Sequence, residues 1–234
     1  MGEKDLRQHY RTLYRQAVAQ FRAGVVEIDP LIDAAEDRRY GITLLLRPDP
    51  PAREKISAFL DKARSIEPNQ YFYPPGDLHV TVLSIISCYT GFRLEDIDPD
   101  AYRAVIAEAL AACPPFEIRL QGVTASPAGI LIQGFPEGPG LGNIRDRLRE
   151  AFGASALQQS IDKRYVLRTA HLTVIRFRER FANEAAFLDL LEVSRETDFG
   201  VLRVTALDLV ANDWYQRSAR VKLLERFSLQ ATPG

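Results

Sequence analysis

Apolar residues along the chain recur with two different periods. Leu6, Tyr10, Leu13, Tyr14, Ala17 and Phe21 fall near helical spacing, which predicts a helix over 3–23. That helix reads first as an element packed on the body and, as an alternative, as a partner-binding segment. From residue 40 short apolar runs alternate with amphipathic stretches. Tyr40–Leu46 reads as a buried strand, followed by a helix over Ala52–Ile66 with Pro51 near its first position. Pro74, Pro75 and Gly76 make a loop before a strand at Leu78–Ile86. Asp98 stands as an N-cap before Pro99 and a helix over Ala101–Ala111, which Cys113-Pro114-Pro115 stops. Phe116–Val123 reads as the next strand.

The same order then recurs: a strand at Gly129–Gln133, a helix over Leu141–Phe152, a strand at Ala170–Phe177, a helix over Asn183–Val193 and a strand at Leu202–Val210. One more strand is expected over 219–229. A repeated strand–helix–strand–helix–strand unit of this size is not a solenoid repeat. It predicts two related lobes, about 40–123 and 128–229, facing one another across a cleft. Lobe interfaces are common ligand sites.

The repeat carries the chemistry. The chain has three histidines, and two sit in matching contexts, His79-Val80-Thr81-Val82 and His171-Leu172-Thr173-Val174, on the same element of each unit. A lone histidine on a strand reads as an ordinary half-buried residue, and a lone threonine as a strand former. The matched pair in register with the repeat does not. Side chains alternate along a strand, so each His shares a face with its Thr. Two imidazoles can divide the roles of base and acid near neutral pH. Two hydroxyls can donate hydrogen bonds to the oxygens of a phosphate. A cyclic phosphodiester suits this set, because attacking and leaving oxygens lie on opposite sides of one phosphorus.

The two spaced motifs, HVTV at 79–82 and HLTV at 171–174, resemble the signature of the 2H phosphoesterase superfamily, the group of 2′-5′ RNA ligase-like proteins and 2′,3′-cyclic phosphodiesterases. The resemblance covers about 40–229. It implies an α+β fold of two pseudo-symmetric lobes, each a mainly antiparallel sheet with helices on its outer face. The active-site cleft lies between them, and residues 1–38 form a helical extension ahead of a body at 39–234. It implies His79 and His171 as catalytic residues and Thr81 and Thr173 as phosphate ligands. The reaction implied is opening of 2′,3′-cyclic phosphates or related chemistry at 2′-linked phosphates, without a cofactor. Several members carry an arginine where Arg176 stands, five residues after the second His. Plain alternation puts Arg176 on the opposite face, so it joins the site only if a bulge or twist turns it.

Composition narrows the ligand. The formal net charge is −1, which argues against a long duplex held by electrostatics and leaves a short RNA end or a cyclic nucleotide as the expected partner. Residues 145–180 hold nine Lys or Arg against four Asp or Glu, either a solvated face or a strip that steers phosphate. Tyr73, in Tyr71-Phe72-Tyr73, and Tyr215, beside Trp214, are candidates for stacking on a base, or else core residues. His9 reads as a surface residue. A zinc site would need a carboxylate near the histidines, and Asp77 alone stands within four residues of either, so no metal is expected. Cys88 and Cys113 form no CxxC pattern and read as thiols in a reducing compartment. The first residues are charged and no apolar run approaches membrane length, so a cytoplasmic location without membrane contact or obligate protein partner is expected. A non-catalytic module that holds an RNA end or nucleotide in the same cleft is the alternative function.

Overall fold

The computed structural model describes residues 2–230. The first helix, α1 (Glu3–Arg22), buries Leu6, Tyr10, Tyr14, Ala17, Val18 and Phe21, close to the stripe its spacing predicts. Then come β1 (Arg39–Leu46), α2 (Pro50–Ile66), the two-residue β2 (Tyr71–Phe72), β3 (Val80–Thr90), α3 (Pro99–Leu110) and β4 (Phe116–Ser126). The second half holds β5 (Gly129–Pro136), α4 (Gly140–Ala154), β6 (Leu172–Arg176), α5 (Glu184–Val193), β7 (Asp198–Val204), β8 (Ala206–Asp213) and β9 (Lys222–Ser228).

Local chemistry sets the helix starts. The Asp49 carboxylate accepts from Ala52 N at 3.0 Å, and Pro50 and Pro51 occupy the first turn, where a missing N–H costs nothing. Asp98 caps α3 in the same way, accepting from Asp100 N at 3.0 Å ahead of Pro99. Asn183 caps α5 through Ala186 N at 3.3 Å.

The strands form two sheets, ordered β3-β1-β8-β9 and β2-β6-β5-β4-β7, with every pairing antiparallel. This is the α+β, two-sheet architecture expected. The sheets do not follow the sequence boundary between 40–123 and 128–229. The closing strand of each unit crosses over: β4 pairs with β5, and β8 pairs with β1. Each sheet thus mixes strands of both units, and one hydrophobic core runs through both. The apolar run expected as one strand at 202–210 is two strands broken at Thr205, β7 at an edge of the second sheet and β8 inside the first. A stretch with no Gly or Pro to mark a turn does not reveal such a change of sheet.

The extension is part of the body. The α1 helix lies against β4 and β5, with the Thr124 hydroxyl donating to Tyr10 O at 2.9 Å. Residues 23–38 add no further helix and run back along the second sheet, where Glu27 N meets Pro127 O at 2.9 Å and Asp29 N meets Phe177 O at 3.0 Å. Both cysteines are free thiols, Cys113 buried and Cys88 partly exposed. No helix of the described residues is long and apolar enough to cross a membrane.

Candidate active site

A cleft of about 500 Å³ opens between the sheets, lined among others by His79, Thr81, His171, Thr173 and Arg176. The two histidines stand one residue ahead of β3 and β6. In the register of β1 with β3, Leu45 faces Thr81 and Leu44 faces Leu83, so Val82 is an extra residue. In the register of β5 with β6, Leu131 faces Thr173 and Ile130 faces Ile175, so Val174 is extra. The valine that follows the threonine is therefore the bulged residue in both motifs. A bulge shifts the side-chain alternation by one. That turns Arg176 onto the face of His171 and Thr173, and Ser84 onto the face of His79 and Thr81. Ser84 and Arg176 occupy the same position in their units, the fifth residue after the His. A second irregularity at Ile85 brings Ser87 to the cleft as well.

A bulged residue loses its partner in the ladder, and its backbone must find another. The Val174 carbonyl accepts from Tyr73 N at 3.0 Å. The Val82 carbonyl accepts from the Arg145 guanidinium Nε at 2.8 Å.

The turn before β3 fixes the first histidine. Asp77 N donates to Pro74 O at 2.9 Å, and the Asp77 carboxylate accepts from Ser218 N at 2.9 Å. The Asp77 carbonyl lies 2.8 Å from His79 Nδ1. A carbonyl only accepts, so Nδ1 carries the proton and Nε2 is left as the exchanging nitrogen. His171 Nδ1 meets the Thr169 hydroxyl at 2.7 Å. Gly134 stands just behind: a Cβ there would collide with the carbonyl oxygen of Ala170, so only glycine lets β5 run this close to His171.

Both imidazoles prefer to be neutral. Burial lowers the pKa of His79 from about 6.5 to about 4, helped by the Arg47 and Arg176 cations and opposed by the Asp77 carbonyl. Burial also lowers His171 to about 4, with His79, Arg145, Arg176 and His9 adding to the effect.

Of the two stacking candidates, Tyr73 borders the cleft and Tyr215 does not. Tyr73 is buried at 2 % exposure, and its hydroxyl accepts from Arg176 Nε at 2.9 Å. Tyr215 is fully buried, its hydroxyl donating to Asp29 at 3.0 Å and accepting from Arg39 at 2.9 Å. Neither offers a ring face to a base, because each ring is buried and each hydroxyl is committed to an internal partner. Trp214 and Tyr165 also line the cleft, and the Arg39 and Arg164 guanidiniums lie 4.8 Å and 4.9 Å from the Trp214 ring centre. From the sequence Trp214, like Tyr215, reads equally as a base-stacking or a core residue, while Ser84 and Ser87 are not singled out, because their facing depends on the bulges.

The basic stretch 145–180 is not one solvated strip. Arg145 is buried, Arg149 pairs with Asp146 and Asp162, Arg178 with Asp33, and Arg176 faces the cleft. Among the described residues no three His, Cys, Asp or Glu side chains gather as a metal-binding group.

A family model described as the 2′-5′ RNA ligase superfamily matches residues 48–215. No curated protein matches. Among solved structures, Escherichia coli LigT complexed with 3′-AMP superposes with a TM-score of 0.57 at 16% identity, over 82% of this chain and 99% of that one. TT0787 of Thermus thermophilus gives 0.55 at 18% identity, over 83% and 100%. The conserved protein ATU0111 from Agrobacterium tumefaciens gives 0.53 at 16% identity, over 92% and 97%. The family match spans both motifs and most of the residues lining their cleft, and the chain belongs to the 2′-5′ RNA ligase superfamily of 2H phosphoesterases.

Proposed function

We propose that the protein hydrolyses 2′,3′-cyclic phosphate ends of RNA or nucleotides by acid–base catalysis between His79 and His171, without a metal. The observation that carries this reading is the bulge at Val174, which puts Arg176 on one face with His171 and Thr173. Together with His79 and Thr81, the cleft then presents two proton-transfer groups, two hydroxyl donors and one guanidinium to a single phosphorus. Nucleotide binding by LigT, the fold relative seen with 3′-AMP, is consistent with such a ligand.

The resting pair is neutral at pH 7, and the reaction needs one proton on it. A bound phosphate anion supplies the charge that favours its uptake. Arginines lower the pKa of both imidazoles, Arg47 and Arg176 at His79 and Arg145 and Arg176 at His171, but a backbone carbonyl supports the cation at His79 alone. His79 therefore holds the proton and His171 acts as the base. His171 Nε2 takes a proton from water as its oxygen bonds to phosphorus. The bond from phosphorus to one ribose oxygen breaks, and His79 Nε2 gives that oxygen its proton. Thr81, Thr173 and Arg176 donate to the non-bridging oxygens as charge builds there. In the opposite, ligating direction the two histidines exchange roles.

Assay of His79→Ala and His171→Ala on 2′,3′-cyclic AMP tests the reading. Each substitution is expected to lower kcat by about 10²–10⁴-fold with the fold intact. Tight binding without turnover by the unmodified protein would instead identify a binding module.

A further inference from the structure

The α4 helix sends one arginine inward. Arg145 is 3% exposed, and its guanidinium reaches three backbone carbonyls: Val82 at 2.8 Å, Thr81 at 3.0 Å and Thr169 at 2.7 Å. None of its partners among the described residues is a carboxylate. Burial lowers its pKa to about 10, which leaves it a cation at neutral pH. A buried charge without a counter-charge is costly and is tolerated only where its hydrogen bonds are well made.

Two of these carbonyls belong to the first motif, and the third leads into the second. Thr81 and Val82 lie on β3 in one sheet, and Thr169 lies two residues before His171, ahead of β6 in the other. These strands share no ladder, so strand pairing does not set the distance between the motifs. The guanidinium spans that gap directly. It also closes the bulge at Val82, on which the facing of Ser84 depends. The residue whose carbonyl it holds, Thr169, orients His171 through its hydroxyl.

We propose that Arg145 is a positioning residue that sets the two His-x-Thr motifs in one register, holding Thr81 from behind and acting on His171 through Thr169. The proposal rests on the two-histidine reading of the cleft. It assigns Arg145 no contact with substrate. The charged and titratable groups around His171 are His79, Arg145, Arg176 and His9, and those around Arg145 are Arg149, Tyr10, Asp162 and Tyr165.

The test compares Arg145→Lys and Arg145→Met with the unmodified protein, using histidine-resolved NMR titration and turnover of 2′,3′-cyclic AMP on samples whose circular dichroism shows a native fold. Lys keeps the charge but cannot span three carbonyls with a planar fork. In Arg145→Lys, kcat is expected to fall about 10-fold or more with little change in KM, and the His171 resonances to shift while its pKa stays low. In Arg145→Met, kcat falls at least as far and the pKa of His171 rises, while burial still holds it below its usual value. If Met at this position prevents folding, the Lys variant and Thr169→Val, which removes the hydroxyl that orients His171, carry the test with the same kcat-selective loss. Folded variants with unchanged kcat and unchanged His171 resonances would overturn the proposal. If no variant, and not even the unmodified protein, turns over cyclic phosphate, the catalytic reading fails. The NMR comparison still decides whether Arg145 positions His171.

Discussion

Arg176 Nε donates to the Tyr73 hydroxyl at 2.9 Å, while Tyr73 N donates at 3.0 Å to the carbonyl of Val174, the residue whose bulge turns Arg176 toward the cleft. One tyrosine thus closes the bulge and holds the side chain that the bulge redirects. The Tyr73→Phe variant keeps the backbone bond and loses only the grip on the guanidinium. It should keep its melting temperature within a few degrees and lose about 10-fold in kcat. Steady-state kinetics beside a thermal melt checks this.

Arg176 itself should matter more. Arg176→Met removes a charged donor from the phosphate oxygens and is expected to lower kcat by about 10²–10³-fold. Thr81→Val and Thr173→Val should each lower it in the same direction by a smaller factor, since a neutral hydroxyl donates more weakly than a guanidinium. Comparison of the three rate constants on one substrate tests that order.

The histidines give a signed pH dependence. Both are held near pKa 4 in the folded protein, against about 6.5 in an unfolded chain. Between those values the unfolded state binds more protons, so stability rises with pH across the window and is lost as pH falls from about 6.5 to about 4. Denaturant melts at a series of pH values should show this slope, and His79→Gln with His171→Gln should flatten it. Binding of inorganic phosphate or 3′-AMP should be accompanied by proton uptake at pH 7, measurable by calorimetry in buffers of different ionisation enthalpy.

Gly134 is expected to tolerate no side chain. A methyl group there meets the Ala170 carbonyl rather than a movable side chain, so Gly134→Ala should destabilise the protein by about 1–3 kcal/mol. The displaced segment leads straight to His171, so activity should fall with stability. A urea melt and a rate measurement on the same sample check both.

The motifs and the elements that bear them are readable in the sequence because their information is local. The helix cap at Asp98, strand hydrophobicity and each His-x-Thr unit all lie within a few residues. The exchange of β4 and β8 between sheets is not readable, because both are apolar strands that fit either partner. The facing of Arg176 and Ser84 depends on bulges defined only by pairing register. Tyr73 and Tyr215 have the composition of a base-stacking site, yet their burial is set by Arg176, Arg39 and Asp29, far away in sequence. Arg145 sits on the apolar stripe of its helix with Leu141, Leu148 and Phe152, so its inward turn is legible in the periodicity, but its three carbonyl partners are not.

A further expectation concerns metals. The groups gathered in the cleft can move protons and bind phosphate oxygens by themselves, so turnover of 2′,3′-cyclic AMP should be unchanged by EDTA. A loss restored by zinc or magnesium would assign part of the chemistry to an ion.

The most direct test of the two-histidine reading is ³¹P NMR of the product formed from a 2′,3′-cyclic nucleotide in ¹⁸O-labelled water. The account predicts a ring-opened monophosphate carrying one ¹⁸O on phosphorus with the unmodified protein, and none with the His79→Ala/His171→Ala double variant. Absence of that product with the unmodified protein, or its formation at full rate by the double variant, would contradict it.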